Sequence, residues 1–234
     1  MTVYGQYCPL ALAAEVLCER WNLLILRRLL DGCERFNEIH QGVPRISATL
    51  LSSRLGALEK AGLLSKERNS AGRGHRYFLT PAGQALLPIT ESMAAWGQEW
   101  SRDMTSDDMD PVFLMYSMRQ RINVHMMPPG RTVICFRFTG APAHCRGFWL
   151  IHSEAVDMCL KDPGHPVDLY VHSDLALFIE SWRGIRNLRE ELRRGSIKLD
   201  GPTVLVRAFP SWLQLSAYAG IRRCSAGRER KLQE

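Results

Sequence analysis

Apolar residues in the first hundred positions recur at helical spacing, broken by residues that end helices. After Pro9, the set Leu10, Leu12, Ala13, Val16 and Leu17 predicts a first helix. From Trp21 a second helix puts Leu23, Leu24, Leu26 and Leu30 on its apolar side and leaves Arg27 and Arg28 for solvent or phosphate. Asp31-Gly32 stops it, because glycine accepts the left-handed conformation that closes a helix. A short third helix over 35–40 ends at Gly42 and Pro44. A fourth opens at Ser47, a residue suited to N-capping, and runs to Ala61-Gly62. Its Leu51, Leu55 and Leu58, four and three apart, form one buried face. The period then changes. Residues 63–68 and 75–79 read as strands around a loop rich in Gly, Asn and Ser, which predicts a hairpin. Thr80-Pro81 restarts a helix carrying Leu86, Ile89, Met93, Trp96 and Trp100 at spacings of 3, 4, 3 and 4, a coiled-coil-like seam suited to dimerisation, with packing on its own domain as the alternative.

The second half follows a different pattern. Residues 106–110 are acidic and polar, a linker or helix entrance. Asp110-Pro111 caps a helix through Tyr116, Met118 and Ile122, and Pro128-Pro-Gly130 breaks the chain. A strand over 131–138 has Ile134, Phe136 and Phe138 on one face, and 147–153, 155–160 and 167–172 read as further strands. Their short connections predict an antiparallel sheet. Ser173-Asp174 opens a helix through Leu177, Phe178 and Trp182; Gly184 separates it from a second over 188–192. A short strand over 196–201 and a closing helix over 202–212 complete the order. The fold class is α+β. A winged helix-turn-helix domain is expected over 1–103, an antiparallel-sheet α+β domain over 107–220 and a basic polar tail over 221–234.

Charge sharpens the picture. The 234-residue chain has a formal net charge of +6. Residues 42–79 hold Arg45, Arg54, Lys60, Lys66, Arg68, Arg73 and Arg76 against Glu59 and Glu67 alone, whereas 1–41 hold four Arg against five acids. Positive charge therefore gathers on the fourth helix and the hairpin, where phosphate contacts would supply nonspecific affinity. The helix face opposite its leucines carries Ala48, Thr49, Ser52, Ser53 and Gly56, small enough for a major groove. The alternatives are a plain amphipathic helix and a solvated basic loop.

These residues resemble the HxlR-type family of winged-helix regulators over about 8–97. The match runs through Cys8-Pro-Leu, Trp21 with Leu-Leu-Ile-Leu after it, Arg35-Phe-Asn-Glu-Ile39 and Ile46-Ser47. It continues through Leu51-Ser-x-Arg-Leu-x-x-Leu-Glu59, Gly62-Leu63, Tyr77-x-Leu-Thr-x-x-Gly83, Leu86 and Trp96-Gly97. The resemblance implies a homodimer, a recognition helix in the major groove and a wing near the backbone or minor groove. It makes Ser47, Thr49, Ser52, Ser53 and Arg54 recognition-helix candidates and Arg68, Arg73, His75 and Arg76 wing candidates; Arg45 and Lys66 join them on charge. Two departures stand out: the wing Ala71-Gly-Arg-Gly-His-Arg76 lacks the family's prolines, and Ala48 and Ser53 replace long polar side chains. Cys8 aligns with a cysteine that some members use for redox sensing, and Pro9 puts it at a helix start. The alternative is a small residue packed at the dimer interface.

The later part resembles a sterol-carrier-protein-like domain, on Asp168-Leu-Tyr-Val-His-Ser-Asp174, Gly195-Ser-Ile-Lys-Leu-Asp-Gly201-Pro202 and Ala208-Phe-Pro-x-Trp212. That resemblance implies an apolar ligand pocket, for which Phe136, Trp149, Phe178, Trp182, Phe209 and Trp212 are candidate walls. A filled core is the alternative.

Several chemistries find no support. Seven cysteines without a C-x-x-C pair argue against a disulfide framework and a structural zinc site. No Walker loop, dinucleotide fingerprint or H-E-x-x-H is present, so no enzyme activity and no cofactor are expected. His144-Cys145 and His152-x-Glu154 read as sheet side chains, not metal ligands. The N-terminus lacks a signal-peptide pattern and no run of about 18 apolar residues occurs, which implies a cytoplasmic protein with no membrane partner. The reading is a homodimeric transcription regulator, a repressor, that binds double-stranded DNA at a pseudo-palindromic operator and is open to modulation by a small apolar effector or a redox signal. The alternative is a lipid or small-molecule carrier, or a protein-interaction module whose winged helix reads no DNA.

Overall fold

The computed structural model describes residues 3–69 and 74–224. The chain divides into two compact units, on either side of the Ala94–Ala95 bond.

The first unit is a helical cluster with a two-stranded hairpin. Helix α1 (Pro9–Leu17) has proline in its first turn and buries none of its residues. Trp21, at a φ of 81°, turns the chain into α2 (Asn22–Leu30). The buried face of α2 is Asn22, Ile25, Leu26 and Leu29, while Leu24 lies in solvent. This is a rotation from the expected face: in a run as uniformly apolar as Leu-Leu-Ile-Leu, periodicity does not choose the side, and packing does. Arg27 and Arg28 are not left to solvent, since both pair with Asp31 at 3.0 Å. Helices α3 (Phe36–Gly42) and α4 (Ala48–Lys60) follow, and Leu51, Leu55 and Leu58 of α4 are buried as the spacing required. Strands β1 (Leu64–Arg68) and β2 (His75–Leu79) pair antiparallel, with Arg68 opposite His75.

Beyond β2 the expected single helix is two. Thr80 caps α5 (Pro81–Gln84) by accepting from the Gly83 N–H at 3.2 Å, and the chain re-enters helix as α6 (Leu87–Trp100). Leu86 falls in the break and is buried, so it stands apart from the exposed series Ile89, Met93, Trp96 and Trp100. The acidic stretch after α6 is folded rather than a free linker. Residues 106–108 form a 3-10 turn, and the Asp108 carboxylate accepts from the Thr105 N–H at 2.8 Å and both terminal nitrogens of Arg102.

The second unit is a five-stranded sheet with helices packed on one face. Its elements are α7 (Pro111–Arg119), β3 (Thr132–Thr139), β4 (Gly147–His152), β5 (Val156–Cys159), β6 (Leu169–Asp174), α8 (Leu175–Trp182), α9 (Leu188–Arg194), β7 (Lys198–Asp200) and α10 (Thr203–Trp212). Ile122, expected in α7, lies beyond it in an isolated bridge to Leu213. The strand order is β5-β4-β3-β6-β7, and the central β3–β6 pair is parallel. This corrects the expectation of a purely antiparallel sheet. Three strands in a meander leave β5 pointing the same way as β3. The segment over 160–168 then carries the chain back past the sheet, so β6 enters β3's free edge in the same direction. His144 lies on a 3-10 turn (Ala143–Cys145), not a strand.

Alternation along β3 splits the apolar residues between two faces. Ile134, Phe136 and Phe138 join Phe148, Leu150 and Val171 beneath Met115 of α7, Phe178 and Trp182 of α8, and Phe209 and Trp212 of α10. Val133, Cys135 and Trp149 occupy the other face. No described helix is long and apolar enough to cross a membrane.

Gly83 allows the base of the hairpin and α5 to meet. A Cβ there would fall inside contact distance of the Leu63 carbonyl oxygen and 2.8 Å from Leu79 Cδ2. Gly83→Ala should therefore destabilise the first unit by about 1–3 kcal/mol, seen as a lower midpoint in urea unfolding. An unchanged midpoint would mean that this junction is not tightly packed.

Candidate nucleic-acid interface

The turn between α3 and α4 is held from both ends. Glu38 accepts from the backbone N–H groups of Glu34 and Arg35 at 3.1 and 3.0 Å, fixing the start of α3. His40 Nε2 donates to the Ile46 carbonyl at 2.8 Å, closing the turn before α4. Ser47 then caps α4, its hydroxyl oxygen accepting from the Leu50 N–H at 3.2 Å. With Leu51, Leu55 and Leu58 buried, the helix geometry turns Ala48, Thr49, Ser52 and Ser53 outward, and all four are exposed. Ser47 is exposed too, although its oxygen is engaged in the cap.

Arg54 is ion-paired within the unit. Its guanidinium lies 2.8 Å from the Glu19 carboxylate, both side chains mostly buried, and ties α4 to the corner between α1 and α2. The sequence gives no local sign of this pair, because its partners stand 35 positions apart. Arg45 is exposed in the turn before α4.

The hairpin is anchored at its base. Tyr77 N–H donates to the Glu34 carbonyl at 2.8 Å, and the Thr80 hydroxyl donates to the Gly62 carbonyl at 2.7 Å. The register separates the wing candidates. Lys66 faces Tyr77 and Arg68 faces His75, so Lys66, Arg68 and His75 share the side that carries Leu64 and Tyr77. Leu64 and Tyr77 are buried at the base, while Lys66, Arg68 and His75 are exposed towards the tip. Arg76, opposite Glu67, is on the other side, ion-paired with Glu34 and 5.1 Å from the Phe78 ring. Arg73 lies outside the described residues. The exposed candidates therefore form two groups, Thr49, Ser52 and Ser53 on α4 and Lys66, Arg68 and His75 on the hairpin, while Arg54 and Arg76 are committed to Glu19 and Glu34.

The remaining candidates lie elsewhere. Cys8 is exposed immediately before α1, and all seven cysteines are free thiols. Phe136, Phe178, Trp182, Phe209 and Trp212 come together in one buried cluster, their rings against each other: Phe136 lies 5.9 Å from Phe178 and 6.3 Å from Phe209, and Phe209 lies 6.3 Å from Trp212. Trp149 is not among them; it stands on the opposite face of the sheet with Arg137 5.4 Å over its ring. Among the described residues no group of three His, Cys, Asp or Glu side chains is placed to hold a metal.

The HxlR-like helix-turn-helix family matches residues 16–105. An uncharacterized HTH-type transcriptional regulator of Bacillus subtilis, YvaP, is 35% identical over 112 residues, which span 47% of this chain and 96% of that protein. The HTH-type transcriptional regulator YodB of the same organism is 35% identical over 95 residues, 40% of this chain and 85% of its own length. An uncharacterized HTH-type regulator of Methanothermobacter thermautotrophicus is 32% identical over 92 residues, covering 39% and 70%. The chain belongs to the HxlR-like helix-turn-helix family.

The two kinds of arginine should separate by experiment. Arg68→Ala should flatten the salt dependence of duplex binding by about one unit in log–log slope and leave unfolding nearly unchanged. Arg54→Ala should lower the unfolding midpoint, since it strands the mostly buried Glu19 carboxylate. The reverse pattern would exchange their roles.

Proposed function

We propose that this chain is a transcription regulator, a repressor, that binds double-stranded DNA as a homodimer on a pseudo-palindromic operator. The observation that carries the reading is the pairing of a small, hydroxyl-bearing exposed face on a capped helix with a basic hairpin. Thr49, Ser52 and Ser53 of α4 read base edges in the major groove, with Ser47 and Arg45 at the helix start against the backbone. Lys66, Arg68 and His75, joined by Arg73, meet flanking phosphates, and Arg76 reaches DNA only by leaving Glu34.

A second copy of the chain covers the apolar series on α6. Ile89, Met93, Trp96 and Trp100 recur at spacings of four, three and four, and Trp96 keeps 63% of its surface in solvent. A stripe of that period packs best against another helix of the same kind, and an isologous pair gives the two-fold symmetry of a palindromic operator. Leu10 and Tyr7, near the start of the chain, are further exposed apolar residues that a dimer would cover.

Signals enter by two routes. Cys8, exposed ahead of a helix start, is the redox candidate. The second unit, sterol-carrier-like in its order of elements, is the effector or dimerisation domain; an apolar effector would have to open the packed Phe136–Phe178–Phe209 cluster and bind the DNA-competent and incompetent states unequally.

The double substitution Met93→Glu, Trp96→Glu tests the central part. The parent protein should sediment as a dimer and bind duplex DNA. The variant should sediment as a monomer with at least about tenfold weaker binding, since each half-site is then held alone. A variant that stays dimeric, or binds DNA as well as the parent, would refute the α6 interface.

A further inference from the structure

The second unit contains a cleft that neither the DNA-facing surface nor the aromatic core uses. It is about 370 Å³ in volume, a size that suits a small molecule. Gln98 of α6, Gly184 and Ile185 after α8, and Ile221, Arg222 and Arg223 near the end of the described chain line it.

Its walls are fixed by specific contacts. The Ser216 N–H donates to the Trp182 carbonyl at 2.9 Å, and Trp182 Nε1 donates to the Gln214 carbonyl at 3.2 Å, pinning the last segment across the end of α8. Gly184 has a φ of 76°, and a Cβ there would lie 2.8 Å from the Ala219 side chain, so the two strands of chain approach as only glycine permits. On the other side Arg223 donates to the carbonyls of Gln98 at 3.2 Å and Ser101 at 2.6 Å. A guanidinium there satisfies carbonyls that the end of α6 leaves open and opposes the helix dipole. The Cys224 N–H adds a bond to the Glu99 carbonyl at 3.0 Å.

The cleft joins an excess of positive charge to an apolar wall. Arg183 donates through Nε and Nη2 to Gln98 Oε1 at 3.2 and 2.6 Å, so two guanidiniums, Arg183 and Arg223, meet at one buried glutamine. Burial first, and then the nearby Arg223, lower the Arg183 pKa from its ordinary value. Carboxylates stand near without capping the cleft: Asp103 lies 3.3 Å from Arg223 with its side chain largely in solvent, Asp108 and Glu180 act on Arg183 only through space, and among the described residues no carboxylate pairs with Arg183 or Arg222. Ile185 and Ile221 supply the apolar surface.

We propose that this cleft is a binding site for a small organic anion, its carboxylate held by Arg222 and Arg223 and its short apolar body lying on Ile185 and Ile221. An inorganic anion would leave the isoleucines wet, and a neutral molecule would leave Arg222 without a counter-charge among the described residues. The assignment stands on the second unit alone and does not depend on DNA binding, so either can fail without the other.

Titration calorimetry of the full chain with benzoate, benzamide and acetate tests it. Benzoate should bind saturably, with benzamide and acetate each at least about tenfold weaker, because the first lacks the charge and the second the apolar body. Arg222→Gln and Arg223→Gln should each weaken benzoate about tenfold, the loss of one charge-assisted contact. Arg222 is exposed, so its replacement leaves the fold intact even if Arg223→Gln disturbs the end of α6. No benzoate binding at millimolar concentration, equal affinity for benzamide, or an Arg222→Gln variant that folds and binds benzoate as the parent does would each overturn the proposal.

Discussion

Helix α4 buries Leu51, Leu55 and Leu58 along one stripe, and a helix committed to a core by such a stripe cannot rotate about its axis. That constraint decides which side chains it can offer to anything outside. Thr49, Ser52 and Ser53 point away because the leucines point in. The Ser47 cap sets where the first turn begins, and the His40–Ile46 bond sets the angle at which the chain arrives. The Arg54–Glu19 pair adds a second tie at the far side of the same helix. The hairpin depends on this frame as well, since its base hangs from the Glu34 carbonyl just ahead of α3.

The second unit obeys a different constraint. Its sheet alternates side chains between two faces, and one face is covered by α7, α8 and α10. The aromatic rings on that face pack against each other at centroid separations near 6 Å, the geometry of a filled interior. A ligand space appears instead at the rim, where the chain passes Gly184 and Arg223 holds the end of α6. The buried rings and the proposed anion site thus lie in separate parts of one unit.

Much of this arrangement was legible in the sequence, and the parts that were not share a cause. The α4 face followed from leucines at four and three, the hairpin from a change of period, and the caps Ser47, Thr80, Asp110 and Asp174 from residue type. These are local signals, readable within one turn or strand. The misses were long-range or degenerate. The uniformly apolar start of α2 did not disclose its buried side, which its neighbours chose. The pairs Glu19–Arg54 and Glu34–Arg76 join residues distant in sequence, so neither ion pair was visible in the local pattern. The parallel β3–β6 pairing depends on where the 160–168 segment leads, which local pattern does not encode. Trp149 read as a companion of Phe136, yet alternation on a neighbouring strand puts it on the other face.

The most direct test of the central claim, that α4 and the hairpin of a paired molecule read DNA, is selection of bound duplexes from a random pool, followed by a salt titration on the enriched sequence. The account predicts a two-fold-symmetric site whose half-sites lie about one helical turn, or a multiple of it, apart, with affinity falling steeply as salt rises. Enrichment of no site by the folded protein, or binding indifferent to salt, would contradict it.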